Sequence, residues 1–266
     1  MSAISDGITD IGYIGLFFAY ALISIVITFT QIKSLRLTKN IFSSVVMMTI
    51  QLLVAGLILT YVLRLNLWYL TFSMITLTYV FSTRIVLKKT GVSFKGAVPL
   101  IFFSVSIGSS FVIFFMIVAV VQPDTLYDAQ YLIPLSGMIT GNSMNGCALA
   151  LDRFYSSVRS QRKQIETKLA LGASREEATS KSFQESYKGS LLPTLSSMSG
   201  MGIVHLPGMM TGQILSGTDP LIAIKYQITI MIALLTTIAL TAYIVLSLVS
   251  KKIINDRYQI NEEIIA

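Results

Sequence analysis

Seven stretches of this chain are each long and apolar enough to cross a bilayer, and the basic residues between them crowd onto alternate connections. Six are continuous apolar runs, at residues 11–32, 41–63, 67–87, 97–121, 131–151 and 226–249. The seventh, 189–217, is less oily and holds six glycines with Pro193 and Pro207. A run of about twenty apolar residues matches the hydrocarbon thickness as a helix. The chain therefore reads as all-α, a polytopic membrane helix bundle of about seven transmembrane helices. Charge supports this: only 12% of its 266 residues are Asp, Glu, Lys or Arg, against about a quarter in soluble domains. No room is left for two large soluble domains, so 1–266 is expected to form a single transmembrane domain.

The connections orient the bundle. Lys33, Arg36 and Lys39 follow the first run, and Arg84, Lys88, Lys89 and Lys95 the third. Eight more basic residues, from Arg153 to Lys188, follow the fifth, and Lys251, Lys252 and Arg257 the last. That puts 18 of 20 Lys and Arg on one side, with Arg64, Lys225, Asp6, Asp10, Asp124, Asp128 and Asp219 on the other. The positive-inside rule then predicts an outside N-terminus and a cytoplasmic C-terminus. The same rule reads the net charge of +7 as an orientation signal rather than a nucleic-acid footprint. The acidic start, with Asp6 and Asp10, does not fit a signal peptide, which opens on a basic segment.

Sidedness also decides the Gly/Pro-rich run. A re-entrant hairpin there would put Lys251 and Lys252 outside, so 189–217 is expected to cross once, interrupted near Leu206-Pro207-Gly208. Asp219-Pro220 then reads as the N-cap and first residue of the last helix. Residues 152–188, rich in Arg, Lys, Gln, Glu and Ala and free of proline, are the one sizeable extramembrane element. Two cytoplasmic helices are expected there, broken at Gly172-Ala173-Ser174.

The chemistry is sparse. The chain has no G-x-x-x-x-G-K-[ST] and no H-E-x-x-H, and one histidine cannot build a zinc protease site. No catalytic residue and no metal site is assigned. A single cysteine, Cys147, excludes an intrachain disulfide and a Cys-based metal cage. No Asp or Glu lies inside a predicted span, which disfavours a proton-driven carrier.

In the fifth run Gly137 and Gly141 form a G-x-x-x-G, a spacing that lets helix backbones approach. Met138, Asn142, Asn145 and Asp152 share one face of that helix. Asparagines in hydrocarbon need partners or a wet cavity, so pathway lining and interhelical hydrogen bonding both stand open. In the sixth, Thr194, Met198, Met201 and His205 share a face. That pattern reads as a soft-metal track or as methionine filling irregular core. The break at Pro207-Gly208 frees backbone carbonyls, which membranes tolerate only beside protein or a water-filled cavity. In 152–188, Glu166, Leu171, Gly172, Ala173 and Ser174 form a helix and glycine corner that would project as a knob suited to a partner's groove.

Glu166, followed six residues later by Gly172 and then by Leu192-Pro193, resembles the coupling motif of ABC-transporter permeases. The distance from Gly172 to Pro193 is stretched relative to the importer pattern. Residues 133–144 and 206–227 are similar to the FetB family, iron-export permeases that work with a separate ATPase subunit, FetA; plant relatives are linked to aluminium tolerance. The likeness is detailed from Pro134 to the C-terminus and extends to the rest in span layout. It implies a homodimer of this chain in the cell membrane, surrounded by lipid, with two FetA-like subunits that carry ATP and Mg, no cofactor on this chain, no nucleic acid, and no enzyme activity of its own. By resemblance, residues 166–174 couple to the ATPase. Gly137, Gly141, Asn142, Pro207, Gly208, Met209, Met210 and Gly212 fall on the family's motif positions, and His205 lies outside them. The expected path lining is Met138, Gly141, Asn142, Asn145, Met198, Met201, Pro207, Gly208, Met209 and Met210, with helix packing at Gly137, Gly141 and Gly212. Another cargo, amphipathic or lipid-like, fits the same architecture. A seven-span receptor is disfavoured: a retinal protein needs a lysine deep in its last span, and Lys225 lies at that span's mouth.

Overall fold

The computed structural model describes residues 11–33, 37–92, 94, 96–255 and 259–261. Asp6, Asp10, Arg36, Lys95 and Arg257, used above to orient the chain, lie outside them. Among the described residues the chain forms nine α-helices and no strand: α1 (Tyr13–Ile32), α2 (Thr38–Leu65), α3 (Trp68–Thr90), α4 (Ala97–Phe115), α5 (Ala129–Ser160), α6 (Arg162–Ala170), α7 (Arg175–Gly200), α8 (Gly208–Leu215) and α9 (Pro220–Ile253). The end of α4 widens into a π-helical stretch, Met116–Val121, closed by an N–H from Gln122 to the Ile117 carbonyl (3.0 Å). Pro123 follows at once, and a helix rarely continues into the residue before a proline.

The direction of each helix follows from its cross-contacts. Asn66, just before α3, accepts from the Ala129 N–H at the head of α5, and Lys89 near the foot of α3 reaches Asn145 further down α5. These two helices are parallel. Gly108 of α4 lies against Thr241, and Gly96 near Lys252, so α4 opposes α9. Phe183 and Tyr187 of α7 meet Tyr243, while Met201 sits beside Gln227, so α7 also opposes α9. Thus α3, α5 and α9 run one way and α4 and α7 the other. That arrangement gathers Lys88, Lys89, Arg153, Arg159, Arg175, Lys181, Lys251 and Lys252 at one end of the bundle, as the one-sided charge pattern requires.

Five helices meet the length and apolarity of a membrane span: α1, α2, α3, α4 with its π-helical end, and α9. The two further crossings expected from sequence fall on α5 and, for 189–217, on the end of α7 with the turn and α8 that follow; α5 and α7, at 32 and 26 residues, are long but too polar to qualify alone. Their surroundings explain why. α5 packs on α3, α4, α7 and α9, and α7 on α5 and α9, so much of their surface meets protein rather than lipid. α1 and α2 are the opposite case. Each buries one residue, Thr30 and Val62 respectively, and leaves its apolar surface outward.

The extramembrane element is more continuous with the bundle than expected. α5 runs on to Ser160 and α7 begins at Arg175, so α6 and its corner are the only separate pieces of 152–188. α9 starts as anticipated, with Asp219 Oδ1 accepting from the Leu221 N–H at 2.8 Å and Pro220 as first residue.

Candidate functional site

The corner after α6 is built by local rules. Ile165 and Leu169 are buried and fasten α6 to the bundle. Gly172 sits at φ +90°, its N–H bonding the Leu169 carbonyl, and Ala173 N–H reaches back to Lys168. This pair of bonds is a Schellman stop, which places a glycine in the left-handed region. Ser174 then starts α7 with a capping box: its hydroxyl accepts from Glu177 N–H, and the Glu177 carboxylate accepts from Ser174 N–H at 2.8 Å. Leu171, 83% exposed, stands at the tip of the corner. Glu166 is exposed as well, in a 2.9 Å ion pair with Arg162 one turn earlier.

Hydrogen bonds from the Ser174 backbone and hydroxyl hold the Glu177 carboxyl below its ordinary pKa. A depressed carboxylate supports the fold above its unfolded pKa, and that support is lost as pH falls through the folded value. Ser174→Ala should loosen the first turn of α7 by about 1 kcal/mol, the usual cost of a lost serine N-cap. Amide exchange at 175–178 reports it. Acidification through the carboxylate range should lower the protection factors of the same amides, intrinsic rates divided out, in the parent chain, and less so in the variant, which keeps only the backbone bond to Glu177.

The proposed path residues of α5 lie along a side of the helix that the rest of the chain leaves partly open. Gly137 is exposed, Met138, Gly141 and Asn142 are half-buried, and Asn145 is exposed. Among the described residues, a Cβ built on Gly137 or Gly141 would touch nothing within 4 Å, so no described helix packs there, and the same holds for Gly212. The close helix approaches occur elsewhere, at Gly108 against Thr241, Gly146 against Ile238 and Gly189 against the Arg153 side chain. The two asparagines differ: Asn142 Nδ2 donates to its own helix at the Met138 carbonyl (2.9 Å), while Asn145 Oδ1 accepts from Lys89 Nζ of α3 at 3.0 Å.

The break spans residues 201–207, so it ends at the expected Pro207-Gly208 step and begins before Leu206. α7 runs through Pro193, ends at Gly200, and gives way to a turn in which Gly202, at φ +83°, donates to the His205 carbonyl. α8 resumes at Gly208 and ends in a second Schellman stop at Gly217. Met198, Met201 and Met209 pack on the core around this break, while Pro207 and Met210 are half-buried and Gly208 is exposed. His205 is exposed, 3.4 Å from Ser197. Among the described residues, no group of three or more His, Cys, Asp and Glu comes together.

Two residues beside the break received no role from the sequence. Gln227 of α9 is 6% exposed and directs its Nε2 at the Met201 sulfur, 4.0 Å away. Its Oε1, and that of Gln213 in α8, are buried without a hydrogen-bond partner. A glutamine in an oily span was the available signal, but its neighbours become visible only once α7, α8 and α9 are folded together.

The comparisons bear on the whole of this architecture. The model of the uncharacterised protein family UPF0014 matches residues 13–254. A UPF0014 membrane protein of Synechocystis, slr1647, is 31% identical over 94% of this chain and 95% of its own length. The Escherichia coli protein named "Probable iron export permease protein FetB" is 32% identical over 91% of this chain and 92% of its own. The Arabidopsis thaliana protein ALUMINUM SENSITIVE 3 is 36% identical over 48% of the chain and 46% of its own. No solved structure matches. A family model that covers nearly every helix, with relatives aligned almost end to end, establishes that this multi-pass membrane protein belongs to the UPF0014 family.

Proposed function

We propose that the chain is the permease subunit of an ATP-binding cassette exporter, moving a metal ion such as iron by alternating access. In this reading two copies form the path and a separate FetA-like ATPase, carrying ATP and Mg, drives it from the cytoplasmic, basic end. The observation that carries the reading is the near full-length likeness to a protein named as an iron export permease. Three features agree with it. The corner at Leu171–Ser174 stands exposed beside the gathered basic residues. The uncovered Gly137–Gly141 side of α5 suits close approach by a second copy. The interrupted α7–α8 crossing leaves unpaired amide oxygens near the bundle interior, the kind of irregularity that lines transport sites. Glu166, Leu171, Gly172, Ala173 and Ser174 would then contact the ATPase.

The test is co-purification in detergent followed by ATP hydrolysis in liposomes against Fe²⁺, Cu⁺, Zn²⁺, Al³⁺ and amphipathic compounds. A P-loop ATPase is expected to come down with the chain and to be stimulated by one of the metals. Retention without metal stimulation would move the cargo to an amphipathic molecule, and absence of any ATPase would overturn the permease reading.

A further inference from the structure

At the basic end of the bundle, α7 and α9 form a half-open cavity of about 480 Å³ that none of the transport features uses. Its lining includes Glu176 and Lys251, which face the same space without pairing with each other. About two turns deeper on the same two helices stand Phe183 and Tyr243, ring centroids 5.9 Å apart and nearly perpendicular, backed by Tyr187. Gln184 and Ser247 add polar groups to the wall. The cavity thus offers one cation, one anion and aromatic faces within one small volume.

Its depth in the membrane follows from α9. With Asp219 and Pro220 at the headgroup surface of one face, Tyr243 lies 23 residues further along α9, or about 34 Å at 1.5 Å per residue. In a bilayer about 40–45 Å thick with its headgroups, that reaches the far edge of the hydrocarbon, and Lys251, about 12 Å further, stands at the outer edge of the opposite headgroup layer. Tyr243 is exposed on the outer side of the bundle, so the cavity lies where lipid headgroups are. Exposed aromatic side chains at this level are the usual interfacial anchors.

We propose that this cavity binds the headgroup of a zwitterionic phospholipid. The phosphate takes the Lys251 ammonium as a charge-assisted partner. The lipid's ammonium takes the Glu176 carboxylate, level with Lys251 on the facing helix, while Tyr243 and Phe183, about two turns nearer the hydrocarbon, flank the glycerol and the start of the acyl chains. An anionic lipid lacks the second half of this match and would bring its negative headgroup towards Glu176.

The test is native mass spectrometry of the full chain in detergent, titrated with phosphatidylethanolamine, phosphatidylglycerol or soluble glycerophosphoethanolamine. Phosphatidylethanolamine should be retained preferentially. Glu176→Gln and Lys251→Gln should each reduce that retention about tenfold, the scale of one lost charge-assisted bond. Both positions are at the bundle surface, and circular dichroism verifies that the variants fold. Equal retention of the two lipids by the parent chain, or unchanged retention in both variants, would overturn the proposal. Displacement of the lipid by equimolar glycerophosphoethanolamine would overturn the lipid assignment in favour of a free zwitterion.

Discussion

Gly108→Leu should leave little of the native bundle. A Cβ at this position would overlap Thr241 Oγ1 and lie 3.2 and 3.3 Å from the Thr241 backbone N and Cα, so a side-chain rotation cannot relieve it. Thr241 is not free to withdraw, because its hydroxyl shares a 2.7 Å hydrogen bond with Ser143 of α5 and both residues are fully buried. α4, α5 and α9 therefore meet at one point, and turning the Thr241 hydroxyl away from the new side chain strands that of buried Ser143. Overpacking and an orphaned polar group together come to about 4 kcal/mol, a large fraction of an ordinary fold's margin. Size-exclusion profiles and thermal melts in detergent should show aggregated or strongly destabilised protein. Gly108→Ala combined with Thr241→Ala should recover part of the loss by removing the overlapped oxygen. Gly137→Leu is the contrasting case. None of the described residues lies within 4 Å of its added Cβ, so the monomer should fold, and any defect should appear in self-association. A Gly108→Leu protein that melts like the parent would mean that α4 does not approach α9 as described.

The second large effect belongs to the corner. Gly172→Trp meets open space in this chain, and its cost to folding is backbone strain at φ +90°, about 1–2 kcal/mol. The indole would, however, stand next to exposed Leu171 at the apex of the element proposed to enter the ATPase groove. Retention of the ATPase should fall by about tenfold or more, corresponding to at least 1.4 kcal/mol of binding, with the chain still inserted and monodisperse. Glu166→Lys should act in the same direction through charge, since it also breaks the Arg162 pair, which as an exposed contact contributes little to stability. Variants that hold and stimulate the ATPase like the parent would sink the coupling assignment.

Much of this architecture was readable in advance because it rests on local rules. Leu171-Gly172-Ala173-Ser174 followed by Glu177 contains both a helix stop and a helix start. Asp219-Pro220 contains a start, and the basic residues needed only helix alternation to fall at one end. The packing glycines were not readable. Gly137 and Gly141 carry the familiar spacing yet touch nothing, whereas Gly108, Gly146 and Gly189, without it, take the close contacts. Spacing reports only that a backbone could be approached; which helix comes near depends on how α4, α5, α7 and α9 assemble. The start of the break was not readable for a related reason. Pro207 lies inside the interruption as the N-cap of α8, but the helix had already ended at Gly200. The polarity of α5 and α7 likewise made sense only after their neighbours were known.

α7 continues without interruption from the capped Ser174 to Gly200, 26 residues or about 39 Å of helix. One rung is weakened, because Pro193 has no N–H to offer the preceding turn. Mechanically it is a lever arm. Pivoting it by about 10° would carry its far end by roughly 7 Å, given the length that helix geometry sets. That far end is the Gly200–Pro207 turn, where the backbone lacks a helical ladder and can take up the stroke. A push delivered at the corner would therefore arrive, amplified, beside Met201 and Gln227.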